Sequence, residues 1–312
     1  MNTKTLKAIW FVGIAIISLA KVSFADATCL IKVTPSQSIQ QAVNQAKDGC
    51  VIWLSAGNFT QDIVISDDII YQTKVRNLTI VGQGLGQTVI YGNVKVTYFY
   101  MPRGPDAPEG RGVIKLQDLQ LNGNNQLTNG VFALGSRVWL DHVKVTKYTG
   151  SGAQTYTANA ELRIENSLFT RNAVGVQAVP YSSILMINNT IAFNTYIGVA
   201  ASSGAVYDVG ITAVKLVNNI IYANGTGLQG FPTYGGFFPN IFYEYNDNYG
   251  NGKNFYLGVS LNGNQATNIS KDPLFVDPSV GNYRLKTGSP CIQTGDPATP
   301  RHGGPRANMG AF

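Results

Sequence analysis

The sequence has little of what most enzymes use for chemistry. Only two of its 312 residues are histidine and three are cysteine. Neither His142 nor His302 is spaced with a cysteine in a pattern typical of a metal site, so the sequence predicts no metal and no cofactor. Charged residues are also scarce, with 23 basic against 17 acidic side chains. Such a small excess is not the signature of a nucleic-acid-binding protein.

Long hydrophobic runs are missing as well. Beyond the N-terminus, no stretch reaches the roughly 18 uninterrupted apolar residues that suggest a membrane span. At the N-terminus, Lys4 and Lys7 precede the apolar stretch Ala8–Ala20, and small residues surround Ala25. This pattern predicts a Sec-type signal peptide over residues 1–25. We therefore expect a mature chain, residues 26–312, that is secreted or periplasmic.

The three cysteines have different expected roles in an exported chain. Cys29 and Cys50 bracket a short N-terminal unit and are predicted to form a disulfide. Cys291 lies far from both in sequence, and we expect it to be a buried small apolar residue.

Five short segments in the middle of the chain are versions of one another. Their third residues follow at steps of 24, 24, 23 and 30 residues. Repeats of this length, rich in β-branched residues and in asparagine, are typical of a solenoid. Alternating apolar positions and the lack of a helical stripe predict an all-β protein, a right-handed parallel β-helix. The segments are LQDLQL (Leu116–Leu121), LDHVKV (Leu140–Val145), IENSLF (Ile164–Phe169), INNTIA (Ile187–Ala192) and VNNIIY (Val217–Tyr222).

The polar residue in each repeat has a structural explanation. Stacked parallel strands hold equivalent side chains about 4.8 Å apart, which lets amide groups bond to one another along the stack. The sequence therefore predicts an internal polar ladder. Its expected members are Asn77, Asp118, His142, Asn166, Asn189 and Asn219, with a second set, Asn172, Asn194 and Asn224, at the next bend.

A single β-helix domain is expected over residues 26–312. Residues 26–66 form the N-terminal cap and first coils, with a capping helix that begins near Ser38 and stops before Gly49. Regular coils follow over 67–230, and looser coils over 231–312. A cap is expected because an open β-helix end exposes unpaired backbone.

Both ends of the chain carry recognisable motifs. SIQQAVNQAKDGCVIWLSAGNFTQDIVI and NLTIVGQGLGQTVIYG resemble the N-terminal region of pectin-lyase-like β-helix proteins, particularly pectin methylesterases. DPLFVDPSVGNYRLKTGSPCIQTGDP resembles the closing coil of secreted bacterial β-helix repeat proteins. The resemblance implies a monomer associated with a polysaccharide or cell-surface glycan. It implies a lyase or hydrolase, or alternatively a non-catalytic glycan-binding, envelope or adhesion protein.

The catalytic residues of these families do not carry over to this chain. The esterase positions of the general acid and the nucleophile fall on Gly152–Thr155 and Val174–Gln177, which contain no carboxylate. The protein is therefore not expected to be a pectin methylesterase. Val138–His142 resembles a marker strand of pectate lyases, but the strand before it, Gly130–Leu134, lacks the acids that calcium requires.

Two candidate sites remain. A sugar-binding groove is predicted on one sheet, with the Gly92–Gly112 insertion as one wall; an ordinary exposed sheet face is the alternative. On the neighbouring sheet, Asp141, Glu165 and Arg163 are the candidate catalytic residues. Solvated cross-strand ion pairing is the simpler interpretation of those charges. The expected groove residues are Phe132, Gln154, Tyr156, Gln177 and Gln229.

Overall fold

The computed structural model describes residues 29–66, 77–97, 112–156, 160–202, 213–232, 238–299 and 306–312. The predicted signal peptide and most of the Gly92–Gly112 insertion lie outside these ranges. No helix within them is long and apolar enough to cross a membrane.

The described ranges contain twenty-six strands and one short α-helix. The helix α1 (Ile39–Gln45) lies between the first two strands. The strands are β1 (Cys29–Val33), β2 (Cys50–Leu54), β3 (Gly57–Phe59), β4 (Ile63–Ser66), β5 (Leu78–Val81), β6 (Thr88–Ile90), β7 (Val94–Thr97), β8 (Ile114–Asn122), β9 (Val131–Leu134), β10 (Arg137–Thr146), β11 (Ser151–Tyr156), β12 (Glu161–Glu165), β13 (Leu168–Thr170), β14 (Val174–Ala178), β15 (Ser183–Ile187), β16 (Thr190–Ala192), β17 (Ile197–Ser202), β18 (Ala213–Val217), β19 (Ile220–Tyr222), β20 (Thr226–Phe231), β21 (Asn240–Glu244), β22 (Asp247–Tyr249), β23 (Lys253–Tyr256), β24 (Ser260–Asn262), β25 (Phe275–Asp277) and β26 (Asn282–Leu285).

The chain winds through three faces in a fixed order. Sheet 1 runs β1-β2-β5-β8-β10-β12-β15-β18-β21-β24, and sheet 3 runs β4-β7-β9-β11-β14-β17-β20-β23. Between them lies sheet 2, formed by β3, β6, the second halves of β8 and β10, β13, β16, β19 and β22. All pairs within these faces are parallel. The protein is therefore a parallel β-helix and is all-β, as the repeats predict.

Inward side chains stack in columns through the coils. In sheet 1 the register aligns Leu116, Leu140, Ile164, Met186 and Leu216, and all five are fully buried. Burial of each such side chain stabilises the fold by roughly 1.5–3 kcal/mol.

A buried asparagine ladder follows the bend between sheets 1 and 2. The Nδ2 atom of each member donates to Oδ1 of the next, at 3.0 Å from Asn189 to Asn219, 2.9 Å from Asn219 to Asn246 and 3.3 Å from Asn246 to Asn268. Ser167 occupies the position above, and its backbone N–H donates to Asn189 Oδ1. Every coil here therefore satisfies the polar groups of its neighbour.

The structure places Asp118, His142 and Asn166 one residue before this ladder. All three have left-handed backbones, with φ of 52°, 53° and 50°, as does Asn188 one coil further on. The left-handed residue makes the bend and is partly exposed, while the residue after it turns inward. The 23-residue step from Asn166 to Asn189 therefore connects two different positions of the coil. For this reason the repeat pattern predicted the ladder one residue too early at Asp118, His142 and Asn166.

Asn77 also lies outside the ladder. It precedes β5 at the start of sheet 1 and is exposed. Its backbone N–H donates to Asp48 Oδ1 at 2.6 Å, and its Oδ1 accepts from the Val113 N–H at 3.1 Å. It therefore bridges the loops at the sheet edge instead of the interior.

A second ladder lies between sheets 2 and 3. Its Nδ2 to Oδ1 distances are 3.2 Å from Asn172 to Asn194, 2.9 Å from Asn194 to Asn224 and 2.9 Å from Asn224 to Asn251. Beside it, the second residue of β11, β14, β17 and β20 is glycine, and a Cβ on Gly175 would lie 3.0 Å from Asn194 Nδ2 and closer still to the Gly198 carbonyl oxygen. Only glycine lets the backbone approach the ladder so closely.

Helix α1 and a disulfide lie at the N-terminal end. Ser38 caps the helix by accepting from the Gln41 N–H at 3.1 Å. The Gln40 side chain bonds both backbone groups of Val64 on the edge strand β4, at 2.7 and 2.9 Å. Cys29 and Cys50 are in register on β1 and β2 and form a disulfide.

The C-terminal part differs from a run of loose coils. After β24, Ile269 pairs with Asp247 and completes the last bend. Residues beyond it form a C-terminal extension that lies on the outside of sheet 2, with β25 and β26 antiparallel. The extension and sheet 2 share a separate apolar cluster, whose buried members are Leu168, Ala192, Ile220, Phe275, Tyr283, Cys291 and Met309.

One buried carboxyl group joins the last coil to the extension. Asp247 Oδ2 lies 3.2 Å from Cys291 Sγ, and its Oδ1 accepts from the Lys271 N–H at 3.0 Å. Burial raises the pKa of Asp247 to about 6, and the nearby Asp272 adds to the effect, whereas Lys271 opposes it. Burial likewise raises the pKa of the Cys291 thiol, so this cysteine is a neutral, protected side chain.

We expect Asn194→Ala to lower the free energy of unfolding by about 2–4 kcal/mol, because it leaves buried amide and carbonyl groups without partners. Denaturant unfolding followed by circular dichroism measures the change. Asn58→Ala, at an exposed position on β3, is the matched control and should change stability by less than about 0.5 kcal/mol. Equal effects of the two substitutions would contradict the role given to the ladder.

Asp247 makes stability depend on pH in a defined direction. Its folded pKa lies above the ordinary value of 3.8, so its contribution is fully present below that value and is lost as the pH rises through about 6. Asp247→Asn keeps an acceptor for the Lys271 N–H and replaces the oxygen that accepts from the Cys291 thiol with a neutral NH₂ group, to which the sulfur can act as acceptor. Unfolding curves measured across this range should therefore be flatter for the variant, which should be the more stable protein at neutral pH. A variant that is less stable at every pH would show that ionised Asp247 is favourable.

Candidate functional site

The outer face of sheet 3 carries an aligned row of side chains. Strand register places Phe132, Gln154 and Gln177 on successive strands of this sheet 3 row, about 4.8 Å apart, and Gln229 two strands beyond Gln177. Tyr156 lies two residues beyond Gln154 on the same face. The full row is Val64, Lys95, Phe132, Gln154, Gln177, Ala200, Gln229 and Tyr256.

Only part of the row is open to solvent. Phe132, Gln154 and Gln177 are partly exposed and Tyr156 is 49% exposed, but Ala200 retains 1% and Gln229 9%. Gln229 is therefore not available to a ligand in this conformation. The accessible run that contains Phe132 is therefore interrupted after Gln177, and Tyr256 at the far end of the row is 37% exposed.

Phe132 and Tyr156 form an aromatic platform. Their ring centroids are 5.7 Å apart and their planes differ by 29°. Phe132 on β9 is paired with Gln154 on β11, and Tyr156 lies two residues further along β11 on the same face. The two rings therefore meet diagonally across adjacent strands. Aromatic faces of this kind offer apolar contact to the C–H faces of sugar rings.

The amide of Gln177 is held in one orientation. Its Oε1 accepts from Ser151 Oγ at 2.9 Å. Ser151 is itself buried, and its backbone N–H donates to Asn129 Oδ1 at 3.0 Å. The Gln177 Nε2 group is consequently left as the outward donor.

Lys95 completes the site. It is exposed, is in register with Phe132 and has no acidic partner within the described ranges. Lys95 is not among the groove residues predicted from the sequence, although Val94-Lys95-Val96 alternates as a strand should. We call Lys95, Phe132, Gln154, Tyr156 and Gln177 the platform site. It can stack a ring and bond hydroxyl groups, and its five side chains include no carboxyl or imidazole to act as a general acid or base.

Sheet 1 carries the charged face. Trp139 lies between two cations, with Lys115 Nζ and Arg163 Cζ each 4.5 Å from its ring centroid. The same outward row continues with Leu185 and Lys215. Met186, the residue after Leu185, is buried.

The candidate catalytic carboxylates are in register but separately paired. Asp141 faces Glu165 across β10 and β12. Lys115 Nζ lies 3.1 Å from Asp141 Oδ2, and Arg163 lies 2.6 Å from Glu165 Oε1. Asn166 Nδ2 also donates to Asp141 Oδ1 at 3.1 Å. Each carboxylate thus has its own cationic partner.

His142 and Asp118 form a pair at the corner between sheets 1 and 2. His142 Nδ1 lies 2.6 Å from Asp118 Oδ1, and Gln117 Nε2 donates to Asp118 Oδ2 at 3.0 Å. Within the described ranges there is no group of three or more histidine, cysteine or acidic residues that could hold a metal ion. The pair joins adjacent coils at a bend.

A shallow depression of about 260 Å³ lies further along sheet 1. Its floor is largely apolar and includes Ile184 and Val214, with Lys215, Glu161 and Phe242 around it. Lys215 Nζ lies 4.9 Å from the Phe242 ring centroid. The strands that form it, β12, β15, β18 and β21, alternate regularly, and nothing in the sequence distinguishes them from other coils.

No family model matches the sequence, and no curated protein matches it. Among solved structures, the chain is similar to the A-module of mannuronan C-5 epimerase AlgE4 of Azotobacter vinelandii, at 19% identity and a TM-score of 0.45 over 69% of this chain and 66% of that one. It thus spans slightly less than two thirds of the epimerase module. Pectate lyase Pel9A is similar at 12% identity and a TM-score of 0.42, over 92% of this chain and 96% of the lyase. YbhC of Escherichia coli shows 10% identity and a TM-score of 0.41, over 82% of this chain and 77% of YbhC. At these values the likeness does not bear on ligand or reaction.

Proposed function

We propose that the protein is a non-catalytic polysaccharide-binding β-helix, and that the platform site is where the glycan lies. The observation that carries the proposal is the stacked pair Phe132 and Tyr156 beside two outward amides. A sugar ring needs an apolar surface for its C–H face and fixed polar groups for its hydroxyls, and this site offers both.

The spacing of the strands supports a chain ligand over a single sugar. Lys95, Phe132, Gln154 and Gln177 succeed one another across four strands at about 4.8 Å per step. An extended glycan lying across the strands meets a new side chain at each step. The fixed Gln177 donor and the free Lys95 ammonium then hold the two ends of the bound segment.

We also infer that the protein functions outside the cytoplasm. The N-terminal sequence has the features of a Sec-type signal, and the mature chain contains the Cys29–Cys50 disulfide. Disulfides persist in oxidising compartments such as the periplasm and the extracellular space. Both observations support secretion or periplasmic residence.

Binding is favoured over turnover because of the distribution of carboxylates. The platform site has none, and Asp141 and Glu165 lie on a different sheet with Lys115 and Arg163 as partners. Glycoside hydrolysis requires one protonated and one ionised carboxyl group on opposite sides of the scissile bond. Asp141 and Glu165 lie side by side on adjacent strands of one sheet, so they do not flank a bond in that way.

Tyr156→Ala and Gln177→Ala should each weaken binding to the recognised polysaccharide by about five- to twelvefold, since loss of a stacked ring or a fixed donor removes roughly 1–1.5 kcal/mol. Affinity electrophoresis and calorimetry with a panel of uronate-containing and neutral polysaccharides measure this. Tyr196→Ala, a similarly exposed tyrosine outside the row, is the matched control and should leave affinity unchanged.

The paired variant Asp141→Asn with Glu165→Gln locates the site independently. It should bind like the wild type, because neither carboxylate touches the platform. Weakened binding in this variant, with Tyr156→Ala unaffected, would move the site to sheet 1.

Prolonged incubation with the same panel, with and without calcium, should release no products. Unsaturated oligosaccharides would instead identify a lyase, and new reducing ends alone would identify a hydrolase. If products appear and the paired variant abolishes them, Asp141 and Glu165 are catalytic and the non-catalytic assignment fails.

A further inference from the structure

The two ends of the β-helix are finished differently. At the N-terminal end, Ile39, Ala42 and Val43 of α1 are buried in the core. Gln40 also occupies both backbone groups of Val64 on the edge strand. A further coil therefore cannot stack on this end without displacing the helix.

At the C-terminal end the core itself is exposed. Phe255 is in register with Leu228, and Leu261 with Ile241, so both occupy inward core columns. Leu228 and Ile241 are fully buried, whereas Phe255 is 44% exposed and Leu261 is partly exposed. Leu257 beside them is 57% exposed. No further strand covers the ends of these columns in the part of the chain that the structure describes.

The strands around this exposed core are free on one side. In the described part of the chain β23 pairs only with β20, and β24 only with β21. Natural edge strands are usually protected by very short length, charged residues, proline or a bulge. Strand β24 has the short sequence Ser-Leu-Asn without a charge or a proline, and Lys253 is the only charged residue of β23 and β24. Such an edge is suited to pairing with another strand.

We propose that the C-terminal coil is a homodimer interface, in which β24 of one chain pairs antiparallel with β24 of a second copy across a two-fold axis. The partner must supply a free strand edge and an apolar layer together, and the same surface of a second copy supplies both. Head-to-tail stacking is blocked by α1, so the association closes at two chains. The sequence predicted a monomer, and this interface replaces that expectation.

Light scattering after size-exclusion chromatography tests the proposal on the mature chain over a wide concentration range. The wild type should have twice the monomer mass, and Phe255→Arg combined with Leu261→Asp should have the monomer mass. Val280→Asp, at the most exposed apolar position of the extension, is the control and should remain dimeric. A wild type that is monomeric at every concentration, or a double variant that stays dimeric, overturns the proposal.

A cysteine variant keeps the test valid if the double variant fails to fold. Ser260→Cys combined with Asn262→Cys places thiols at two exposed positions of β24. Antiparallel pairing centred on residue 260, 261 or 262 brings one of these thiols opposite one from the partner. Mild oxidation should give a covalent dimer on a non-reducing gel, whereas Val280→Cys should not. Absence of the covalent dimer excludes this pairing.

Discussion

The structure depends on amide groups that bond from one coil to the next. Asn189, Asn219 and Asn246 are fully buried, and their side chains donate and accept along the axis of the helix. Apolar columns alone would not fix the register of one coil against the next. Leucine and isoleucine pack almost equally well when a coil is shifted along the strand direction. An unpaired buried amide costs about 1–3 kcal/mol, so the ladders make one register much more stable than the others.

That register determines what the outer faces present. Since successive coils cannot shift, Phe132, Gln154 and Gln177 stay aligned across β9, β11 and β14. The glycines at the second position of β11, β14 and β17 lie against both the second ladder and the backbone of the next coil, which together leave no room for a Cβ. A flat, aligned surface of this kind can contact an extended ligand without reorganising, which reduces the entropy lost on binding.

The coil architecture and most of the sheet 3 row follow from the sequence, because alternation and repeat length depend on local pattern. The ladder position is harder to predict from the sequence. Ile187-Asn188-Asn189 and Val217-Asn218-Asn219 each contain two adjacent asparagines, of which the first makes the left-handed bend and the second joins the ladder. Only the backbone shows which is left-handed. Burial of Gln229 and the antiparallel hairpin over sheet 2 depend on distant contacts that no short pattern encodes.

The C-terminal extension crosses the coils instead of adding to them. It contacts four successive coils through polar pairs, which join Tyr283 to Thr170, Ala311 to Thr190, Asp296 to Asn218 and Cys291 to Asp247. Coils in a solenoid otherwise contact only their nearest neighbours. A force that pulls the last coil away from the body must therefore break contacts at several levels at once. Because the extension connects coils that are not neighbours, we expect the stack of coils to resist such a force as one unit.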